Sequence, residues 1–179
     1  EIKQILTDYN ILTLKEVNFT EDIIEDGDSF EENALIKART IAKYSGKAAI
    51  ADDSGLSVDK LNGRPGVYSA RYSLEQTDEK NIEKVLTELA GEQSKAKFVS
   101  VIAMVTPEGD EFTFRGECEG EIIFEKRGTN GFGYDPIFYV PELNKTFAEI
   151  SSDEKNAISH RKKSLEKFAK FLKEQDNEN

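Results

Sequence analysis

Apolar residues recur along this chain at two spacings, one helical and one alternating, and together they divide it into elements. Ile2, Ile5, Leu6 and Tyr9 fall on one helical face, so the chain opens inside an amphipathic helix with no capping residue ahead of it. An acidic, irregular stretch follows from Glu21 to Asp28. Ser29 and Glu32 then form a Ser-x-x-Glu capping box for a helix that carries Ala34, Ala38, Ile41 and Ala42 on one face and ends at Gly46. Ala48 to Ala51 reads as a short buried strand. It is broken by Asp52, Asp53, Ser54 and Gly55, after which Leu56 to Val58 is apolar again, and Pro65-Gly66 marks a further turn. Ile82, Val85, Leu86 and Leu89 predict another amphipathic helix, starting near Thr77 or Asp78, ending before Gly91 and structural in role.

The second half alternates. Lys97 to Thr106 is apolar and rich in β-branched residues, Pro107 to Asp110 is a turn, and Phe112, Phe114 and Cys118 alternate with mostly polar neighbours, so this stretch reads as a β-hairpin. Ile122 to Phe124 continues the sheet, and a glycine-rich stretch from Gly128 to Pro136 leads to a strand from Ile137 to Val140. Ser151 and Glu154 make a second capping box that opens one last helix with Ile158, Leu165, Phe168 and Leu172 as its core stripe. The tail from Glu174 is polar and is expected to fray. With no repeat and no linker, this mixture of helices and hairpin strands predicts a single α/β or α+β domain.

Composition narrows the possible functions. The chain has 179 residues, enough for one well-buried domain of at most two lobes. With 24 Lys+Arg against 35 Asp+Glu, the net charge is −11, and no broad basic surface is spare for a nucleic-acid backbone. An anionic ligand would need a local basic pocket or a bridging cation. Cys118 and His160 are the sole Cys and His, which excludes an intrachain disulfide, a multi-Cys zinc site and a His-rich metal site, and makes the reducing cytoplasm the simplest compartment. The longest apolar runs, such as Phe98 to Val105, fall well short of the roughly 20 residues of a membrane helix, so no membrane partner is expected.

Three segments could carry chemistry, and each has a plain alternative. Asp52-Asp53-Ser54-Gly55 could project carboxylates into a cleft, where oxygen ligands suit Mg²⁺, or could simply be a turn. Glu25, Glu31 and Glu32 could add a metal ligand, or form a solvated loop and helix start. Gly131-Phe132-Gly133-Tyr134-Asp135-Pro136 lets a backbone approach a flat ligand while a ring stacks on it, yet a hairpin turn explains the glycines equally well. Ser159-His160-Arg161, with Lys155 one turn earlier, could donate to a ligand's edge or form a solvated basic face. A Ser/His/Asp hydrolase using His160 is possible on residue count, but no Gly-x-Ser-x-Gly elbow is present.

Taken together, the segments resemble the family of inosine and xanthosine triphosphate pyrophosphatases, which hydrolyse non-standard purine nucleoside triphosphates. The resemblance runs nearly end to end. It rests on Ser29-Phe30-Glu31-Glu32-Asn33-Ala34 with Lys37-Ala38-Arg39, on Ala51-Asp52-Asp53-Ser54-Gly55-Leu56, and on Pro65-Gly66-Val67-Tyr68-Ser69-Ala70-Arg71-Tyr72. Gly131 to Phe138, Glu154-Lys155 and Ile158-Ser159-His160-Arg161 complete it. It implies an α/β fold with an elongated mixed sheet flanked by helices, two lobes with the nucleotide cleft between them, and a homodimer. It further implies that Asp53 is the catalytic base and a Mg²⁺ ligand, that Glu25 is the second metal carboxylate, and that Ser54 and Lys37 meet the phosphates. Phe132 would stack on the base, Gly133, Tyr134 and Asp135 would line its pocket, and Lys155, His160 and Arg161 would contact its edge. Family members carry a Ser/Thr-x-Asn-x-x-Lys phosphate loop after their first strand. Residues 1–179, which start at Glu1 rather than Met, are therefore expected to be one domain of two lobes lacking that strand and loop.

The expected reaction is attack of water, oriented or deprotonated by Asp53, on the α-phosphorus of ITP, dITP or XTP, with Mg²⁺ offsetting the triphosphate charge. The products are a nucleoside monophosphate and pyrophosphate, which cleanses the nucleotide pool. The alternative is a Mg-nucleotide-binding module without turnover.

Overall fold

The computed structural model describes residues 2–178, and expectations attached to Glu1 lie outside them. The described residues form a five-stranded sheet in the order β1 (Ala49–Val58), β2 (Ser94–Val105), β3 (Glu111–Ile122), β4 (Phe138–Val140) and β5 (Lys145–Thr146). Helices flank it, as expected for an α/β fold. Every strand pair is antiparallel, where a mixed sheet is expected.

β1 corrects the reading of its own sequence. Asp52 to Gly55 forms no turn and no break. The strand pairs with β2 without interruption from Ala49↔Val105 to Val58↔Ala96. Turn propensity loses here because β2 is buried along most of its length and offers a partner to every residue of β1. Gly55 is small for a packing reason: a Cβ there would lie 2.5 Å from Ser69 Oγ and 2.6 Å from the Gly66 carbonyl of the 3₁₀ turn Gly66–Arg71.

Alternation along the strands builds three apolar clusters. On one face α2 (Phe30–Ser45) lays Ala34, Ala38 and Ala42 against Ala49, Val99, Val101 and Ala103. Ser29 caps it by accepting from Glu32 N–H at 3.0 Å. The expected capping box is only half made, because the Glu32 carboxylate turns to Arg39 at 3.3 Å. Gly46 stops the helix in the left-handed region, at φ 67°. On the opposite face α5 (His160–Asn177) packs Leu165, Phe168 and Leu172 on Ile102 and on Leu6, which follows the short α1 (Ile2–Ile5). The tail does not fray at Glu174: α5 continues to Asn177, and Tyr9 Oη donates to the Asp176 carboxylate. The third cluster fills the far end of the sheet. There α3 (Asp78–Leu89, N-capped by Thr77) lays Ile82, Val85 and Leu89 near Leu56, Phe98, Phe138 and Phe147. Each fully buried Phe there contributes about 1.5–3 kcal/mol.

The expected single last helix is two. The Ser151–Glu154 capping box forms in both directions and opens α4 (Ser152–Ile158), but Ser159 is extended, at φ −68° and ψ 153°. Its hydroxyl accepts from Lys162 N–H at 3.2 Å and starts α5 afresh. Likewise β3 stops at Ile122, one residue short of Ile123, whose N–H bonds the Ile137 carbonyl at 3.0 Å, and Ile137 closes a 3₁₀ turn, Asp135–Ile137, ahead of β4.

The start of α5 lies directly on the sheet. A Cβ on Gly116 would meet the His160 carbonyl and come within 2.5 Å of Ser164 N, and Ser164 Oγ bonds Ser100 Oγ at 3.1 Å beside it. Gly116→Ala is therefore expected to destabilise the protein by about 1–3 kcal/mol by prising α5 away. Calorimetry should register this as a fall of roughly 3–10 °C in the melting midpoint. An unchanged midpoint would mean that α5 can yield at no cost.

Candidate active site

Because successive side chains of a strand face opposite ways, Asp53 joins the α2 face while Asp52 and Ser54 join the other. Asp53 is half-buried, and its Oδ2 has no hydrogen-bond partner among the described residues. Its pKa is pushed up to about 6: burial is the largest cause, Lys37 opposes it, Glu25 adds to it, and the Asn33 side chain and Ser54 N–H pull it down. Lys37 Nζ sits 2.9 Å from Glu25 Oε1 and also donates to the Asp52 carbonyl. Arg71 donates to the Glu25 carbonyl at 3.3 Å. Asn33 is buried in α2 and fixed by Gly27 N–H, which donates to its Oδ1 at 2.8 Å.

The other nearby acids are engaged elsewhere. Arg115 pairs with Glu31 at 2.7 Å and Arg39 with Glu32 at 3.3 Å, so of the three glutamates weighed from sequence, Glu25 is the one beside Asp53. Among the described residues no cluster of three or more His, Cys, Asp or Glu is arranged to hold a metal. What the site offers is two hard carboxylates, one with an orphaned oxygen. That suits Mg²⁺, which commonly takes one or two carboxylates and completes its shell with waters and phosphate oxygens.

Across β1 lies a cavity of about 270 Å³. Ser54, Phe132, Gly133, Tyr134, Asp135, Lys155, His160 and Arg161, all singled out from the sequence, line it together. A neighbouring cavity of about 610 Å³ shares Phe132, Lys155, His160 and Arg161. Phe132 is 65% exposed, with Lys155 Nζ 4.7 Å from its ring centre. Lys155 pairs with buried Asp135 at 2.6 Å, and Asp135 also accepts from Phe132 N–H at 3.2 Å. Burial raises the Asp135 pKa and Lys155 opposes the rise. Gly131 is required twice over: its φ is 74°, and a Cβ would strike Asp135 Oδ2. Tyr134 is buried, its hydroxyl donating to the Ser69 carbonyl at 2.6 Å, so it braces the wall.

His160 is buried and stacks on Phe98 at 5.0 Å between ring centres. Burial, then the charges of Arg161, Lys155 and Lys163, lower its pKa to about 3, so the ring is neutral at physiological pH. Its Nδ1 is buried without a partner among the described residues. A Ser/His/Asp relay, which needs both ring nitrogens engaged, therefore finds no support here. Arg161 is exposed at the cavity mouth.

Among the residues lining or bracing the site that were given no site role from sequence are Asn33, Ser69, Asp78, Asn81 and Phe98. Two left a signal. Asn33 and Asn81 are polar residues on otherwise apolar helix faces, and both are buried and hydrogen-bonded. Asp78 was absorbed into the helix start.

The Ham1 family model matches residues 1–171. The chain is 53% identical over 178 residues to the dITP/XTP pyrophosphatase of Bacillus subtilis (strain 168), covering 96% of this chain and 90% of that one. It is 51% identical over 185 residues to the dITP/XTP pyrophosphatase of Clostridium perfringens (strain 13 / Type A), covering 97% and 91%. The solved structure of the Staphylococcus aureus Ham1 protein superposes with a TM-score of 0.92 at 46% identity, over 97% of this chain and 91% of that one.

The raised pKa of Asp53 fixes the sign of a stability effect. Its surroundings favour the protonated form in the folded chain, so the stability it contributes falls as pH rises from 3.8 through about 6 and stays lost at neutral pH. Asp53→Asn is expected to melt higher than the parent at pH 7.5 in a chelating buffer, with the gap closing toward pH 4. A lower midpoint at neutral pH would contradict this account.

Proposed function

The chain belongs to the Ham1 family, and on that premise we propose that it hydrolyses dITP, ITP and XTP to the nucleoside monophosphate and pyrophosphate. One observation carries the reading. A basic, partly orphaned carboxylate at Asp53 stands next in sequence to Ser54, which opens the cavity holding an exposed ring and three potential edge donors.

In this reading the nucleotide lies in a cleft between two lobes, with its base in the cavity and its phosphates along β1. With a pKa of about 6, the Asp53 carboxylate is largely ionised at neutral pH yet basic enough to take a proton from a water. As that proton moves to Asp53, the water oxygen bonds to the α-phosphorus, the α–β bridging bond breaks, and pyrophosphate leaves. Asp53 and Glu25 would hold Mg²⁺, which when bound supplies charge neutralisation to the triphosphate and its leaving group. Lys37, between Glu25 and the Asp52 carbonyl, adds a cation on the phosphate side, and Ser54 a hydroxyl.

Base selection falls to the other end. Phe132 stacks on the purine, with Asp135 and Lys155 fixing its height. Neutral His160 offers one donor and one acceptor, and the Arg161 guanidinium donates to a 6-oxo group. A 6-amino group would set donor against donor, a mismatch of about 1–3 kcal/mol. We extend the reading to a homodimer in the reducing cytoplasm. Cys118 is unpaired and buried, and the exposed Ile24, Tyr68 and Leu74 would gain cover from a second copy.

Pyrophosphate release should be fast with dITP, ITP and XTP and slow with ATP, whereas GTP, which also carries a 6-oxo group, is excluded only by a further penalty on its 2-amino group. Asp53→Asn should abolish it with the fold intact, whereas Asp52→Asn, on the opposite face, should cost less. Equal losses would reject the assignment, and nucleotide binding without release would reduce the chain to a binding module.

Two changes separate the contributions to base recognition. Phe132→Ala should weaken every nucleotide alike, by about 1–3 kcal/mol. Arg161→Ala should instead narrow the ITP/ATP ratio of kcat/KM, and an unchanged ratio would remove Arg161 from base selection.

A further inference from the structure

We propose that Asp78, at the first position of α3, is a positioning residue of the substrate site: its carboxylate holds the backbone of the loop that presents Phe132. The proposal rests on the reading of Phe132 as the stacking ring, and it gives α3 a role beyond filling the core.

The loop tip has few ties. Gly131 and Gly133 both sit in the left-handed region, at φ 74° and 61°, and Phe132 between them is largely exposed. Phe132 N–H bonds Asp135 within the same segment. Gly133 N–H instead reaches 55 residues back and donates to Asp78 Oδ2 at 2.8 Å. Among the hydrogen bonds of Gly131 to Gly133 in the described residues, this is the one that ties the tip to another element. Without it only the Asp135 bond and the Lys155 contact would restrain Phe132 between two glycines, and a looser platform must be ordered when ligand binds.

Asp78 can act as a fixed post because α3 is itself strapped down. Asn81, one turn on, accepts from Ser73 N–H at 2.8 Å and Ser73 Oγ at 2.7 Å, and its amide donates to the Ser69 carbonyl at 3.3 Å. Ser69 Oγ in turn accepts from Leu56 N–H of β1 at 2.9 Å. A chain of hydrogen bonds thus runs from the strand carrying Asp53, through Ser69 and Asn81, to the helix that holds Gly133. An acid at a helix start also complements the helix dipole, but that role needs no particular partner. Here the carboxylate has a specific one and makes no ion pair among the described residues. It also adds to the rise in pKa of Tyr134 and Asp135, so its charge works against its neighbours.

Asp78→Ala should raise KM for dITP about tenfold, the order that one charge-assisted hydrogen bond allows, with kcat changed less than about threefold. Asp78→Asn, which keeps an acceptor oxygen, should restore most of the affinity. The chain has no Trp, so Phe132→Trp installs a single indole at the loop tip. Its fluorescence anisotropy without nucleotide should drop when Asp78→Ala is added and recover with Asp78→Asn, while melting midpoints confirm that each variant is folded. Unchanged anisotropy in the Ala variant overturns the proposal, as does an unchanged KM, and Asp78→Ser serves the same comparison if the Ala variant fails to fold. Should the parent release no pyrophosphate, the functional reading fails instead, and the anisotropy alone decides the role of Asp78.

Discussion

The unbroken pairing of β1 with β2 is the constraint from which the site follows. A continuous strand must send Asp53 one way and Asp52 and Ser54 the other, so adjacent residues serve different neighbourhoods: a charged one under α2 and an aromatic one beside α5. A turn at the same four residues would bring the two carboxylates into one patch and dissolve that division. Pairing also accounts for Gly55, which leaves room for the Gly66–Arg71 turn to press on the strand and carry Ser69 to the cavity wall.

Burial sets the chemistry within that frame. In a chain of net charge −11, the protein spends cations where they fix geometry: Lys37 on Glu25, Arg115 on Glu31, Lys155 on Asp135. Desolvation then moves two groups in opposite senses for the same reason, since a low-dielectric setting disfavours charge of either sign. Asp53 becomes a better base and His160 stays neutral. The acidic surface repels nucleotides in general, and a site of this kind gains selectivity from having its few cations placed where a particular ligand needs them.

Much of this was legible in the sequence where a local rule decides the outcome. Ser29, Gly46, Thr77 and the Ser151–Glu154 box mark helix ends because capping is a contact among near neighbours. The 107–110 turn is similarly local. Segments governed by distant partners were misread. Asp52 to Gly55 has the composition of a turn and is held as strand by β2, whereas the break at Ser159 is local, a cap on Lys162 N–H three residues on, set inside an apolar stripe that no helix-breaking residue interrupts. The candidate site residues come from resemblance and motif order, while Asp78, whose partner Gly133 lies 55 residues away, carries no local signal.

The break at Ser159 bears on how such a protein can change over time. Lys155 stands on α4, a helix with no buried residue, whereas His160 and Arg161 begin α5, which is locked into the core by Leu165, Phe168 and Leu172. The two helices that line the cavity therefore differ in how freely they can mutate. Substitutions at the exposed positions of α4 come at small cost in stability, whereas Lys155 is tied to buried Asp135, Ile158 packs on the core, and the start of α5 is policed by packing. The room for change around the cavity lies on the exposed face of α4, opposite a backbone at the start of α5 that the core holds in place.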